Sequence, residues 1–256
     1  MMDGGSWQSL RDELARWKDA GRVADFWWRD DDAGGPNPLV RRLLDLSCSM
    51  AVPLGLAVIP QDAQADLLDE QDVHVSVLQH GVAHRNLSQP GEKKSEFPAT
   101  ETPAAAIHRL RQGQAQLAAL FGPRVLPVLV PPWNRISSPA LLPLLPTAGL
   151  SGLSRYGPRK RMGALPGLVE VNTHVDVIDW KGTRGFVGES VALGQAVAHL
   201  RARRLGEVDA GEPTGWLTHH AVHDAATWGF LQRLFECTLD GGMVVWRSPV
   251  ELLAKG

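Results

Sequence analysis

Apolar residues recur along this chain in two modes: short β-branched runs, and longer stretches whose apolar positions fall three and four apart. Leu10, Leu14 and Trp17 share one helical face, opened by a capping box of Ser9 and Asp12 and stopped by Gly21. Val23 to Trp28 is a first strand, and its end runs into Arg29-Asp30-Asp31-Asp32-Ala33-Gly34-Gly35, which crowds its carboxylates onto a turn. Pro38 opens a helix to about Met50, carrying Leu39, Leu43, Leu46 and Met50 at near-helical spacing. Leu54 to Ile59 is a second strand, Ala63 to Leu68 a short helix, and Val73 to Gln79 a third strand. A long polar stretch, Arg85 to Pro103, leads to a helix from Ala104 to Leu120 and a buried strand from Val125 to Val130. The pattern then predicts a short helix at Pro139 to Leu145, a weak strand at Gly149 to Ser154 and a stronger one at Leu168 to Ile178. A helix from Ser190 to Arg204 follows, with Val191, Gln195, Ala198 and Ala202 along one stripe. A strand starts at Thr214 and ends at His219 and His220, and Asp224 caps a helix from Ala225 to Leu239. Met243 to Trp246 and Pro249 to Leu253 close the chain. Strand followed by helix, about seven or eight times over, argues a parallel sheet, and one of this length is most simply closed into a barrel.

Composition narrows the partners. With 256 residues, 44% hydrophobic and 21% charged, the chain can bury one full core, and a single domain over 1–256 is expected. A net charge of -2 gives no nucleic-acid footprint, and the basic cluster from Arg155 to Arg161 is expected to be a solvated loop. Cys48 and Cys237 stand far apart in helix-like segments, which predicts buried thiols in a reducing compartment and no disulfide framework. Met1 to Gln8 lacks the basic start and apolar core of a signal peptide, and no apolar run reaches membrane-spanning length, so a cytoplasmic location is expected.

Candidate chemistry collects at the carboxyl ends of the predicted strands, where parallel α/β folds carry their sites. His80 and His84 stand four apart at one such end, and a helical turn beginning at Gly81 would aim both rings at a single metal ion. A catalytic metal takes a further protein ligand, and Asp30, Asp31 and Asp32 offer it from another strand end. Trp133, Asn134 and Arg135 follow two prolines that stiffen the end of the Val125 to Val130 strand. Asp176, Asp179 and Trp180 end the next long strand. His74, His108, His174, His199 and His223 carry no such signal.

Taken together these clusters resemble the polysaccharide deacetylase, or NodB-homology, family, over nearly the whole chain from Trp27 onward. The resemblance implies a distorted (β/α) barrel of about seven strands and a metal-dependent amidohydrolase. His80-Gly81-Val82-Ala83-His84 matches the family's paired-histidine motif most closely. Asp31-Asp32 fits the paired aspartate, base then metal ligand, with an extra Asp30 in front that leaves a one-residue ambiguity of register. Pro131-Pro132-Trp133 keeps the prolines and ring of a third motif, but Val130 stands where an arginine is expected, and Arg135 is favoured over Arg29 as the replacement. Asp176 or Asp179, with Trp180, fits the fourth motif, and Leu217-Thr218-His219 the fifth, with His220 a competing neighbour. By this resemblance one divalent ion, most simply zinc, sits on Asp32, His80 and His84. Asp31 is the base, His219 the acid oriented by Asp176, and Arg135 the base's partner. Trp133, Asn134, Trp180 and His220 are left to touch an acetamido sugar or glycan, with Trp216 a further candidate platform. Related barrels open cyclic amides, and a metal-retaining binding protein is the non-catalytic alternative. No Gly-x-Ser-x-Gly elbow occurs, which excludes a serine hydrolase of that type.

Overall fold

The computed structural model describes residues 6–159 and 166–254. The expectations for Met1 to Gly5, and for Lys160 and Arg161 of the basic cluster, lie outside them. Six α-helices accompany the sheet among the described residues: α1 (Trp7–Asp19), α2 (Pro38–Met50), α3 (Pro103–Phe121), α4 (Glu189–Leu205), α5 (Ala225–Leu239) and α6 (Pro249–Ala254). The strands are β1 (Ala24–Ala33), β2 (Leu54–Val58), β3 (Val75–His80), β4 (Val125–Val130), β5 (Gly152–Leu153), β6 (Val169–Glu170), β7 (Val175–Asp176), β8 (Thr214–Thr218) and β9 (Val244–Trp246). They form one sheet in the order β6-β5-β4-β3-β2-β1-β8-β7, with β9 also on β1, and every strand pair is parallel. The result is a distorted (β/α) barrel of the NodB type. No helix among the described residues is long and apolar enough to cross a membrane.

β1 is the axis of this arrangement. On its outer face Trp28 meets Phe235 of α5 at 4.9 Å, and Phe26 meets Trp246 of the neighbouring β9 at 5.4 Å. Its inner face buries Trp27 with Ala57, Leu78, Val128, Val130, Val171 and Leu252. Alternation then puts Arg29 and Asp31 above Trp27 on the inner face, and Asp30 on the outer one. The expected turn at Arg29 to Ala33 is therefore a strand. Between Asp30 and Ala33 the register against β2 slips, from Leu56 to Val58, so β1 carries a bulge there. Asp32 takes the left-handed conformation within it (φ 72°). The extra residue re-aims Asp32, so that the consecutive Asp31 and Asp32 both reach the same end of the barrel.

Other expectations change in instructive ways. The cap of α1 is Ser6, whose Oγ accepts from Ser9 N at 3.1 Å, so the helix starts earlier than a Ser9 cap implies. The strand expected over Leu168 to Ile178 splits into β6 and β7, which pair with β5 and β8 on separate parts of the sheet. On α4 Val191 and Ala198 of the expected stripe are exposed and Gln195 and Ala202 half-buried, because the buried face comprises His199 and Arg203 beside Ala192, Leu193, Ala196 and Leu200. Cys48 is exposed and Cys237 only partly covered, so neither is a buried thiol, and both are free.

Candidate metal centre and active site

His80 ends β3, and its Nδ1 faces the Val130 carbonyl at 2.9 Å. A carbonyl only accepts, so Nδ1 carries the proton, and in the neutral ring Nε2 is a bare lone pair. That Nε2 lies 3.0 Å from Asp32 Oδ1, and His84 Nε2 lies 3.2 Å from the same oxygen. The two rings sit 5.0 Å apart with a tilt of 43°. Lone pairs facing one another at this range repel unless a cation lies among them. Asp32, His80 and His84 present ligand atoms all within 4.8 Å of one another, a set of two imidazoles and one carboxylate that fits a divalent transition metal with open positions.

When His80 takes up a second proton, that proton lies on Nε2 and is donated to Asp32, so it meets the same need for positive charge between the two. Burial works to raise the Asp32 carboxyl, but the His80 hydrogen bond and the charges of His80, His219 and His84 hold it below its ordinary range. Burial also works to lower His80, yet its bond to Asp32 and the Asp31 and Asp32 charges carry it upward. Burial and the His80 charge push His84 down.

The loop between the histidines is not the expected helical turn. Gly81 (φ 57°) and His84 (φ 50°) both take left-handed conformations, and the rings converge through a tight bend. Glu96, wholly buried, holds that bend by accepting from Val82 N at 3.1 Å and Ala83 N at 2.8 Å. A Cβ on Gly81 would run into Glu96 Oε2 and lie 2.6 Å from Pro132 Cδ, which is why the position after His80 must be glycine. Sequence reasoning missed Glu96, since nothing marks one glutamate in a long polar stretch as buried.

Asp31 receives a bidentate clamp from Arg29, Nε to Oδ1 at 2.8 Å and Nη2 to Oδ2 at 2.9 Å. Arg29 is itself fixed by Ser154 Oγ at 2.6 Å and Asn134 Oδ1 at 2.7 Å. The expectation that Arg135 takes this part is thus overturned: its Nη1 donates instead to the Lys94 carbonyl at 2.8 Å. Residues two apart on a strand share a face, so Arg29 opposes Asp30 but accompanies Asp31. Asn134 accepts from Arg29, with a side chain left partly open.

His219 follows β8, with Nε2 4.0 Å from Asp31 Oδ2 and its ring edge-on to Trp180 at 4.7 Å. Its Nδ1 is buried without a hydrogen-bond partner among the described residues. Trp180 Nε1 donates to Asp176 Oδ2 at 2.9 Å, and burial lifts the Asp176 carboxyl despite the opposing charge of His219. Asp179 serves its own turn, accepting from Gly182 N at 3.0 Å and Thr183 N at 3.3 Å. Trp133 (φ 55°) sets its ring 4.6 Å from that of His84, and Trp180 is 43% exposed, so both indoles border the centre. Trp216 is fully buried in the core and is no platform.

Asp30 has a different task. It is wholly buried, and accepts from Thr218 Oγ1 at 2.6 Å and from His220 N at 3.0 Å, with His220 Nδ1 at 2.5 Å. The charge of His220 overcomes burial and lowers the Asp30 carboxyl. This clamp ties the end of β8 to β1 on the outer face. His220, only 2% exposed, faces away from the site, so it does not touch substrate as expected.

A second group, His174, His199 and Glu212, also brings ligand atoms within 4.8 Å of one another, fully buried at the amino end of β8. Here Gly215 N donates to His174 Nδ1 at 3.0 Å, so the neutral ring carries its proton on Nε2 and has no lone pair there for a metal. The rings stack 3.5 Å apart at 15°, which sets their in-plane directions side by side and not converging. Burial holds His174 down to about 3 and His199 to about 2, and lifts Glu212 to about 7.

No family model matches this chain, and no curated protein does. Solved structures share its fold. A protein from Mycobacterium smegmatis assigned to the polysaccharide deacetylases is 15% identical, with a TM-score of 0.62 over 92% of this chain and 90% of its own. An allantoinase is 15% identical, with a TM-score of 0.60 over 90% and 88%. A family 4 acetyl xylan esterase from Clostridium thermocellum, in complex with a cobalt ion, is 16% identical, with a TM-score of 0.52 over 90% and 91%.

Proposed function

We propose that this protein is a single-domain, metal-dependent amidohydrolase that removes the N-acetyl group of an acetamido sugar or glycan. The observation that carries this reading is the meeting of two imidazole Nε2 atoms with Asp32, beside a second aspartate clamped by arginine and a histidine across from it. Asp32, His80 and His84 would hold the ion, most simply zinc. When bound, such an ion lowers the pKa of water and polarises an amide carbonyl. Asp31, acceptor-only and fixed by Arg29, takes the water's proton. His219, held against Trp180, whose indole N–H is in turn fixed by Asp176, delivers a proton to the leaving nitrogen, so one water and one amide become acetate and a free amine. Trp133 and Trp180 offer ring faces to a sugar on either side. Two free thiols, one exposed, fit a reducing compartment such as the cytoplasm, where the substrate would be an acetamido sugar made inside the cell.

The test is acetate release from a panel of N-acetyl sugars, free and linked, by zinc-loaded protein. Turnover abolished in Asp31→Asn with the ion retained supports the reading. Since an allantoinase shares the fold as fully as a deacetylase, the panel includes a cyclic ureide, and turnover of that compound alone would replace the acetamido reading. Bound metal with no turnover of any amide would favour a binding protein.

A further inference from the structure

Cations gather on the segments that flank the centre. Arg85, Lys93, Lys94 and Arg135 lie on one side, and Lys181 and Arg184 follow Trp180 on the other. None of them makes an ion pair among the described residues. The acids beside them in the chain are already engaged. Glu92 accepts from Gln89 N at 3.1 Å, Glu96 is buried under the histidine loop, and Asp179 caps its own turn.

On the first side the cations are ordered relative to the centre. The Trp133 ring lies 4.6 Å from the His84 ring, and Lys94 Nζ stands over that indole at 5.9 Å. The Lys94 carbonyl receives Arg135 Nη1 at 2.8 Å, and Ser95 Oγ donates to the Arg135 carbonyl at 3.4 Å, so the two cations belong to one braced unit. Trp133 and Asn134 both take left-handed conformations (φ 55° and 53°), backbone strain of a kind that is kept where it aims side chains. Moving outward from the metal ligands, the order is imidazole, indole, then ammonium and guanidinium.

A neutral sugar needs the indole but not the cations. Within the site Arg29 is already taken up by Asp31, so an anionic substituent finds its unpaired side-chain cations at the rim. We propose that Lys94, over the Trp133 indole, and Arg135, bonded to the Lys94 carbonyl, form an anion subsite, so that the acetamido sugar this site takes carries a phosphate or carboxylate group. This rests on the deacetylase reading and narrows it. A planar, bidentate guanidinium and a mobile ammonium suit either group.

The experiment compares N-acetylglucosamine, its 1-phosphate and an N-acetylated disaccharide bearing a uronate. Binding is measured by calorimetry on zinc-loaded Asp31→Asn, and kcat/KM on the wild type. The subsite predicts an anionic ligand favoured about tenfold or more in both, equivalent to about 1.4 kcal/mol. The preference should shrink as salt rises, and collapse in Lys94→Gln with Arg135→Gln. The phosphate and uronate arms show which source fits better. Equal binding of neutral and anionic sugars, or a preference kept in the double variant, overturns the subsite. Because binding is read without turnover, absence of acetate release from every sugar would count against the deacetylase reading while leaving the charge preference measured.

Discussion

Two pairs of histidines meet a carboxylate in this fold, His80 and His84 at Asp32 and His174 and His199 at Glu212, and a single backbone group separates their capabilities. At His80 a carbonyl takes the Nδ1 proton, which leaves Nε2 bare toward Asp32. At His174 an amide N–H fills Nδ1, which forces the proton onto Nε2, 3.5 Å from Glu212. Both join two imidazoles and a carboxylate with ligand atoms within 4.8 Å of one another. The tautomer, set by strand geometry, makes one group fit for a metal and the other a buried neutral stack.

The widest test of that contrast is metal content and turnover together. His80→Ala with His84→Ala should abolish bound zinc and acetate release, whereas His174→Gln should keep both; zinc surviving the first and lost in the second would invert the comparison. Asp31→Asn should retain zinc and lose about 10² to 10⁴-fold in turnover. Arg29→Met leaves Asp31 buried without its cation, so unfolding in urea should show a loss of about 3–5 kcal/mol. The smallest effect belongs to Glu212. Its folded pKa of about 7 stands above the ordinary 4.5, so its contribution to stability is full below 4.5 and is lost as pH rises through 7. Glu212→Gln should therefore gain about 1–3 kcal/mol on the wild type at pH 8 and nothing at pH 4. His174 runs the other way, depressed from 6.5 to about 3, with stability present above 6.5 and lost on acidification. Equal pH slopes for wild type and Glu212→Gln would show that Glu212 is not held neutral by the fold.

The order of strands and helices was legible because each has its own apolar period, and α5 and β4 fall where that period puts them. The histidine pair was legible because its spacing and strand-end position survive any detail of the turn. What escaped depended on pairing across the sheet. Arg29 could have been matched to Asp31 by counting two along a strand, had Arg29 to Ala33 been seen as a strand; the run of aspartates argued for a turn because their partners, Thr218, His220 and Arg29 itself, come from contacts that only the sheet creates. The buried face of α4 escaped because it carries His199 and Arg203, which a hydrophobic count leaves out. Glu96 and Asp30 escaped for the same reason: a buried charge is announced by its partners, not by its own neighbours in the chain.

The central place of β1 also sets when the protein can become itself during synthesis. Residues 24–33 emerge early, yet one flank of that strand is completed only by β8 and β9, from residues 214–218 and 244–246 near the far end of the chain. Until then Asp30 lacks His220 and Thr218, and the Phe26 and Trp28 side lacks the aromatic partners that cover it. The nascent chain must carry an unpaired, tryptophan-rich strand edge through most of translation, a long-range closure of the kind that folds slowly and invites chaperones. A chain cut short before residue 214 would keep every proposed metal ligand and still expose that edge, a product marked for aggregation and not for partial activity.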